Sequence, residues 1–311
     1  MKSTRRFHMA NSFGFKTTAD EVLEGIDLSG RTMLVTGGNG GVGQAIVHAL
    51  AKAGADVIMT ARKLSSAEAA AEPLRKSAIG QIECRSLDLA DPSSIRSLLA
   101  DWERPLDALI NNAGVMALPS LQRTGEGHEM QFATNFLGHF ALTRGLHEFL
   151  RERRGRVVSV ASTGSLFGPI LWDDPAFRFI RYDPLLAYAQ SKTACILFSV
   201  ALSRKWGADG ITSNSLHPGA IATGLQQHTG GLQTPEKWRK TPEQGAATSV
   251  LLAASPLVEG VSGRYFEDCQ EAPIIYGRPE ERVAGLAPYA IDPSNAERLW
   301  QMASAMTDYS A

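Results

Sequence analysis

The chain is predicted to be an α/β protein with a doubly wound, parallel sheet, and two observations carry that prediction. Short apolar runs alternate with segments of helical periodicity along most of its length, which calls for βαβ crossovers and a sheet buried on both faces. The first of those runs ends in a cluster of glycines that opens the first long helical segment.

Taken in order, residues 1–30 form a polar leader with one local signal. Thr18-Ala19-Asp20-Glu21 has the spacing of a capping box, so a short helix through Val22-Leu23 that ends at Gly25 is expected. Thr32 to Thr36 is the first strand, and Ile46, Ala49, Leu50 and Ala53 mark the helix after it. Val57-Ile58-Met59 is the second strand; Gln81–Ser86, Leu106–Ile110, Arg156–Val160 and Ile211–Leu216 continue the series. Helices are expected near 66–77, 92–101, 126–151 and 187–206. There is no internal repeat or linker, so residues 31–311 read as a single domain behind the leader 1–30.

Composition narrows the function classes. Of 311 residues, 44% are hydrophobic and 20% charged, enough for one large core. The formal net charge is -1 with both signs interspersed, so no electrostatic footprint for nucleic acid or an anionic membrane is expected. The three cysteines, Cys84, Cys195 and Cys269, are far apart and form no Cys-x-x-Cys pair; no disulfide framework or structural zinc is expected, and a reducing compartment fits. The start, MKSTRRFHMANSF, has cations but no apolar h-region behind them. No uninterrupted apolar run of about 18 residues appears, so no membrane span is expected. A cytoplasmic location follows. The histidines suggest no metal site: His139 and His147 share one predicted helix but lie eight apart.

The glycine cluster is Thr36-Gly37-Gly38-Asn39-Gly40-Gly41-Val42-Gly43. A strand before it and a helix after it make it a phosphate turn, in which backbone closely approaches a pyrophosphate seated on the helix N-terminus. The fold is thus Rossmann-like. The second strand ends Met59-Thr60-Ala61-Arg62-Lys63. An acid there would hold the ribose 2′-hydroxyl of NAD; two cations stand instead, and the Arg62 guanidinium suits a 2′-phosphate. NADP is expected as the cofactor, in preference to NAD.

Tyr188-Ala189-Gln190-Ser191-Lys192 places a phenol and an ammonium at i and i+4 of a helix, on one face. A free tyrosine is a poor base at neutral pH, and a neighbouring cation favours its phenolate. Such pairs are also common on helix surfaces, so the companions decide. These are TGGNGGVG, Asp88-Leu89, Asn111-Asn112-Ala113-Gly114, Asn135, Ser162, YAQSK and His217-Pro218-Gly219. In order and spacing over residues about 30 to 265 the set resembles the short-chain dehydrogenase/reductase superfamily. TADEVLEGIDLSG, FATNFLGHFALT and GRYFEDC are similar to the branch of retinol dehydrogenases and WW-domain-containing oxidoreductases.

That resemblance implies roles for particular residues. Tyr188 is general acid in reduction and base in oxidation; Lys192 binds the nicotinamide ribose and makes Tyr188 a better base. Ser162 hydrogen-bonds the substrate oxygen, where charge develops, and Asn135 holds a water that links Lys192 to solvent. Gly37, Asn39, Gly41, Val42 and Gly43 cradle phosphates and the adenosine ribose, and Asp88 and Leu89 face the adenine. Asn111, Ala113 and Gly114 line the cofactor, and Pro218, Ile221 and Thr223 border the carboxamide.

Ser162 and Tyr188 lie 26 positions apart, wider than in many superfamily members, and Ser159, Thr163 and Ser165 lie close to Ser162. The interval contains an insertion before the catalytic helix, with Phe167, Trp172, Phe177, Phe179 and Tyr182. These rings are expected to wall the substrate or to pack the insert onto protein. Asp173 and Asp174 are expected to be solvated turn residues. A polar loop from Gly224 to about Thr241 sits where the family has a mobile lid. Trp300, in the last predicted helix, packs on the core or on a partner subunit. The expected activity is hydride transfer between NADP(H) and the carbonyl or alcohol carbon of a bulky, partly hydrophobic small molecule, with a homo-oligomer, dimer or tetramer, left open. A reductase of another polarised bond, C=N or C=C, is the alternative enzyme. A cofactor-binding regulatory protein is the alternative class, disfavoured by the retained Tyr188, Lys192, Ser162 and Asn135.

Overall fold

The computed structural model describes residues 12–308. The basic start through residue 11, and the expectation attached to it, lie outside the described residues. Helix α1 is Ala19–Val22, and its capping box forms: the Thr18 side chain accepts from the Glu21 N–H while Glu21 accepts from the Thr18 N–H. The leader is less polar in effect than its composition suggests. Ala19, Val22, Leu23 and Leu28 are buried in the core, and Lys52 pairs with Asp20.

The sheet begins with β1, Thr32–Thr36, followed by helix α2, Gly41–Lys52. Strand β2, Asp56–Ala61, leads to α3, Leu64–Arg75, and β3, Ile82–Ser86, to α4, Pro92–Ala100, capped by Asp91. Strand β4 is Ala108–Asn111. The single helix expected over 126–151 is divided into α5, Met130–Phe132, a π-turn over Ala133–Leu137, α6, Gly138–Gly145, and α7, His147–Arg153. Gly138 shows why this stretch sits where it does: a Cβ there would lie 2.1 Å from the Leu89 carbonyl oxygen, so only glycine allows so close a backbone approach.

Strand β5, Arg156–Val160, precedes α8, Pro184–Trp206. Then come β6, Thr212–His217, the short pair β7, Ala220–Ile221, and β8, Arg239–Lys240, and helix α9, Pro242–Ala254. Strands β9, Tyr265–Glu267, and β10, Gln270–Glu271, and helix α10, Pro293–Thr307, complete the fold.

The eight-stranded order is β10-β9-β6-β5-β4-β1-β2-β3. All pairings in it are parallel except that of β10 with β9. The chain changes direction of winding between β1 and β4, and the carboxyl ends of those neighbours open a crevice there. One hydrophobic cluster lies on each face: α1, α2, α3 and α9 supply one, and α4, α6, α8 and α10 supply the other.

Helix α8 has a mean hydropathy of 1.4 over a window long enough for a membrane span, although polar residues interrupt its apolar run. However, 89% of that window is buried inside the protein, as suits a core helix. Helix α10 packs on α8, and Trp300 lies 5.0 Å from Phe140 and 6.1 Å from Trp206, ring centre to ring centre. Trp300 is half-buried and packs on the core, the first of its two expected placements.

Candidate active site

The crevice is a cleft of about 1590 Å³, large enough for a dinucleotide with a second ligand beside it. Its floor is the turn after β1. Gly37 and Gly41 have φ of +64° and +54°, the left-handed region, and a Cβ on Gly37 would lie 2.9 Å from the Ala113 Cα. Helix α2 starts behind Gly40, which gives no side-chain cap, so the first N–H groups of the helix remain available for an anion.

Tyr188 and Lys192 face the cleft from α8. Both are buried, and the Lys192 ammonium lies 5.7 Å from the Tyr188 ring centre and donates to the Val160 carbonyl at 2.9 Å. The end of β5 therefore fixes the lysine while leaving two of its three N–H donors unspent on that carbonyl. Ser162 also lines the cleft, and its Oγ accepts from the Gly164 N–H at 3.0 Å. Gly164 packs against both side chains: a Cβ on it would come within 2.9 Å of the Tyr188 ring and 3.3 Å of Ser162 Oγ. Glycine there lets the serine and the tyrosine share one wall.

The structure also brings Gly37, Asn39, Gly41, Val42, Arg62, Asp88, Leu89, Ala113, Gly114 and Pro218 to the cleft. Five sequence-predicted residues stand behind its walls. Gly43 packs α2 onto the turn, since a Cβ would lie 2.3 Å from the Gly37 oxygen. Asn111 turns away and donates to Thr143 Oγ1 at 3.2 Å, and Asn112 takes its place, lining the cleft and donating to the Thr36 carbonyl at 2.8 Å. Successive side chains at a strand end point to opposite faces, so one asparagine of the pair had to face away. Ile221 is buried against Gly245, and Thr223 packs on Gly41. Asn135 sits in the π-turn with its amide already committed: Oδ1 accepts from the Val115 N–H at 2.8 Å, and Nδ2 donates to the Val115 carbonyl and to Ser191 Oγ. Ser191 in turn donates to the Tyr188 carbonyl, a helix role.

The insertion mostly packs onto protein. Of its five rings only Phe167 lines the cleft. Phe177 is buried and stacks edge-on with Tyr182, whose hydroxyl donates to the Leu118 carbonyl. Trp172 packs on the core under Arg298, and Phe179 is 91% exposed. Asp174 corrects the expectation of a solvated turn. It is buried, and its carboxylate accepts from the N–H groups of Arg178, Phe179 and Ile180. Desolvation pushes its pKa up, but those three donors outweigh it and hold the carboxyl below its usual range. Asp173 is solvated, as expected, with a long contact to Arg298.

Sequence reasoning missed the far wall. Phe15, Trp238 and Arg282 line the cleft from the leader, the loop between Gly224 and Thr241, and the chain after β10. The Arg282 guanidinium lies 5.1 Å from each ring, and its carboxylate partner Asp268 also holds Lys240. Only the isolated aromatic residues in polar stretches hinted at this. His217 also faces the cleft; burial pushes its imidazole down to about 3, and its Nδ1 has no hydrogen-bond partner. Among the described residues no group of three or more His, Cys, Asp or Glu side chains could hold a metal ion.

The family model for short chain dehydrogenases matches residues 31–231, about two thirds of the chain, from β1 into the loop that begins at Gly224. The chain belongs to the short-chain dehydrogenase family. It is similar to a probable oxidoreductase of Streptomyces antibioticus, 48% identical over 89% of this chain and 97% of the relative. Human retinol dehydrogenase 14 is 39% identical over 90% of this chain and 87% of its own length. Among solved structures, an uncharacterised Mycobacterium paratuberculosis protein superposes with a TM-score of 0.72 and 33% identity, covering 94% of this chain and 97% of that one. A Pseudomonas aeruginosa RhlG complex with NADP has a TM-score of 0.61 at 25% identity, covering 77% and 95%. As a short-chain dehydrogenase resembling the retinol dehydrogenase branch, this protein is an NAD(P)-dependent oxidoreductase with a Rossmann-like fold.

Proposed function

We propose that this short-chain dehydrogenase interconverts a carbonyl and an alcohol on a bulky, partly hydrophobic molecule, with NADP(H) preferred over NAD(H), in the cytoplasm. The observation that carries the reading is that Ser162, Tyr188 and Lys192 all face one cleft, with Gly164 packed against both the serine hydroxyl and the tyrosine ring. The residues fit the cofactor: the unspent α2 N-terminus and the turn beneath it suit a pyrophosphate, and a Cβ-free Gly37 lets that turn pack closely on Ala113. When bound there, the nicotinamide supplies or receives the hydride. Tyr188 passes the proton to or from the substrate oxygen, Ser162 holds that oxygen, and Lys192 orients the ribose. Asn135 braces Val115 and Ser191 behind that wall. Arg62, exposed at the cleft's edge at the end of a strand that closes on two cations and no acid, supports the 2′-phosphate preference. Phe167, Leu118, Met130 and Leu185 give the substrate side an apolar lining. Three free thiols suit a reducing compartment.

The test is loss of 340-nm absorbance with NADPH and a panel of hydrophobic ketones, for the wild type and Tyr188→Phe. Removing one hydroxyl keeps the ring, and turnover should fall about 10²–10⁴-fold, the range of general acid–base catalysis. Near-normal turnover by folded, NADPH-saturated Tyr188→Phe would remove the phenol from the mechanism. Turnover of imines or activated alkenes alone would favour the other polarised bonds.

A further inference from the structure

His139 lies on α6, one turn beyond Asn135, and is 2% exposed. Nothing in the chemistry proposed above uses it. Its Nδ1 is 2.9 Å from the Asn135 carbonyl and its Nε2 2.8 Å from the Thr36 hydroxyl. A carbonyl can only accept, so Nδ1 carries the proton and Nε2 accepts from the Thr36 O–H. The Thr36 oxygen is then free to accept twice, from the N–H groups of Asn112 at 2.9 Å and Ala113 at 3.0 Å. The only other acceptor in reach of that hydroxyl, the Ile110 carbonyl, is at 3.4 Å.

Each end of this chain touches a different wall of the cleft. Thr36 is the last residue of β1 and leads into the phosphate turn; Asn112 to Gly114 form the loop after β4. Asn135 belongs to the π-turn, and its amide clamps Val115 while Gly114 sits between it and Lys192. π-turns interrupt the regular backbone ladder and recur at functional sites. Here the Asn135 carbonyl takes a side-chain donor from His139, with the Cys195 thiol as a second donor.

We propose that His139 is a positioning residue for the cofactor cleft: with its proton on Nδ1 it couples the Asn135 carbonyl to the Thr36 hydroxyl and so holds the phosphate turn, the 112–115 loop and the Lys192 wall in one register. The proposal rests on the reading of this cleft as the cofactor site.

The test is direct NADPH titration, followed by the cofactor's fluorescence with NADH in parallel, at a temperature well below the melting point of every variant. His139→Phe keeps a ring of similar size without either hydrogen bond, and should weaken binding about tenfold. His139→Gln has a donor and an acceptor of similar reach and should recover most of that loss. Thr36→Val should cost less in the His139→Phe background than in the wild type, the residual loss being that of the acceptor for the Asn112 and Ala113 N–H groups. Wild-type affinity in folded His139→Phe would overturn the proposal, as would equal losses in the Phe and Gln variants. Selective ¹⁵N-histidine labelling of the wild type reads the tautomer without any variant that must fold, the His139 signal being the one missing from His139→Gln. A ring protonated on Nε2 would also overturn it. A wild type that bound neither cofactor would instead sink the reading of the cleft itself.

Discussion

Arg62 stands at the exposed end of β2 with Lys63 beside it, and Ser86 Oγ donates to the Arg62 carbonyl, which fixes the backbone and leaves the guanidinium free to reach the cleft. A charge-assisted, bidentate pair with a phosphate is stronger than a neutral hydrogen bond, and the planar guanidinium fork suits it. Arg62→Ala should therefore lose about tenfold or more in NADPH affinity, with NADH little changed. Isothermal titration with both cofactors checks this, and equal affinities for the two in the wild type would end the argument for NADP. The neighbouring Asn39 contributes differently: its amide donates to Ser66 Oγ and ties the phosphate turn to α3, so its substitution should affect both cofactors alike.

Between elements, the insertion ahead of α8 shows what periodicity can and cannot tell. The alternation of strands and helices was legible because burial on both faces leaves an apolar signature, and strands β1, β5 and β6 fall within a residue or two of the predicted bounds. Helix α9 went unread, although Thr241-Pro242-Glu243-Gln244 forms a capping box: its small residues are buried all round, so no amphipathic stripe marks it. The break at Leu146 and the π-turn were equally invisible, since both answer to tertiary neighbours. In the insert, composition announced the rings but could not say which of them faces the cleft. Phe167→Ala should raise the Michaelis constant for large ketones more than for small ones, whereas Phe179→Ala, so far out in solvent, should leave both unchanged. Size-graded ketone kinetics decide; uniform effects of Phe167→Ala would mean that it only packs. Asp174→Ala should act on stability instead. It removes the acceptor for three backbone N–H groups, each charge-assisted bond contributing about 1.5–3 kcal/mol, so a loss of at least about 2 kcal/mol in chemical denaturation is expected.

At the scale of the whole molecule, the buried His139 and Glu267 and the half-buried His217 make stability respond to pH. Burial pushes His139 down to about 4 and His217 down to about 3, from an ordinary value of 6.5. Because the folded values are depressed, the unfolded chain binds the extra protons first: this stability is present above pH 6.5 and is lost as pH falls toward 4 and 3. Glu267 works in the opposite sense. It closes β9 beside His217, and both carboxyl oxygens lie 3.1 Å from the Gly285 N–H. Desolvation, reinforced by the like charge of Asp268, raises it from 4.5 to about 7. With the folded value raised, its contribution is complete below pH 4.5 and disappears as pH rises through 7, a difference on the order of 3 kcal/mol at most. Glu267→Gln cannot ionise, yet its amide oxygen can still accept from Gly285. The variant should thus gain on the wild type as pH rises from 5 to 8, by several degrees in melting temperature, and the gap should stop widening above about pH 8. Below pH 5 both proteins should lose stability together, since the histidines act in each. Thermal melts at half-unit steps from pH 4 to 9 give the comparison, and parallel curves for the two proteins across pH 5 to 8 would show that Glu267 does not titrate in that window.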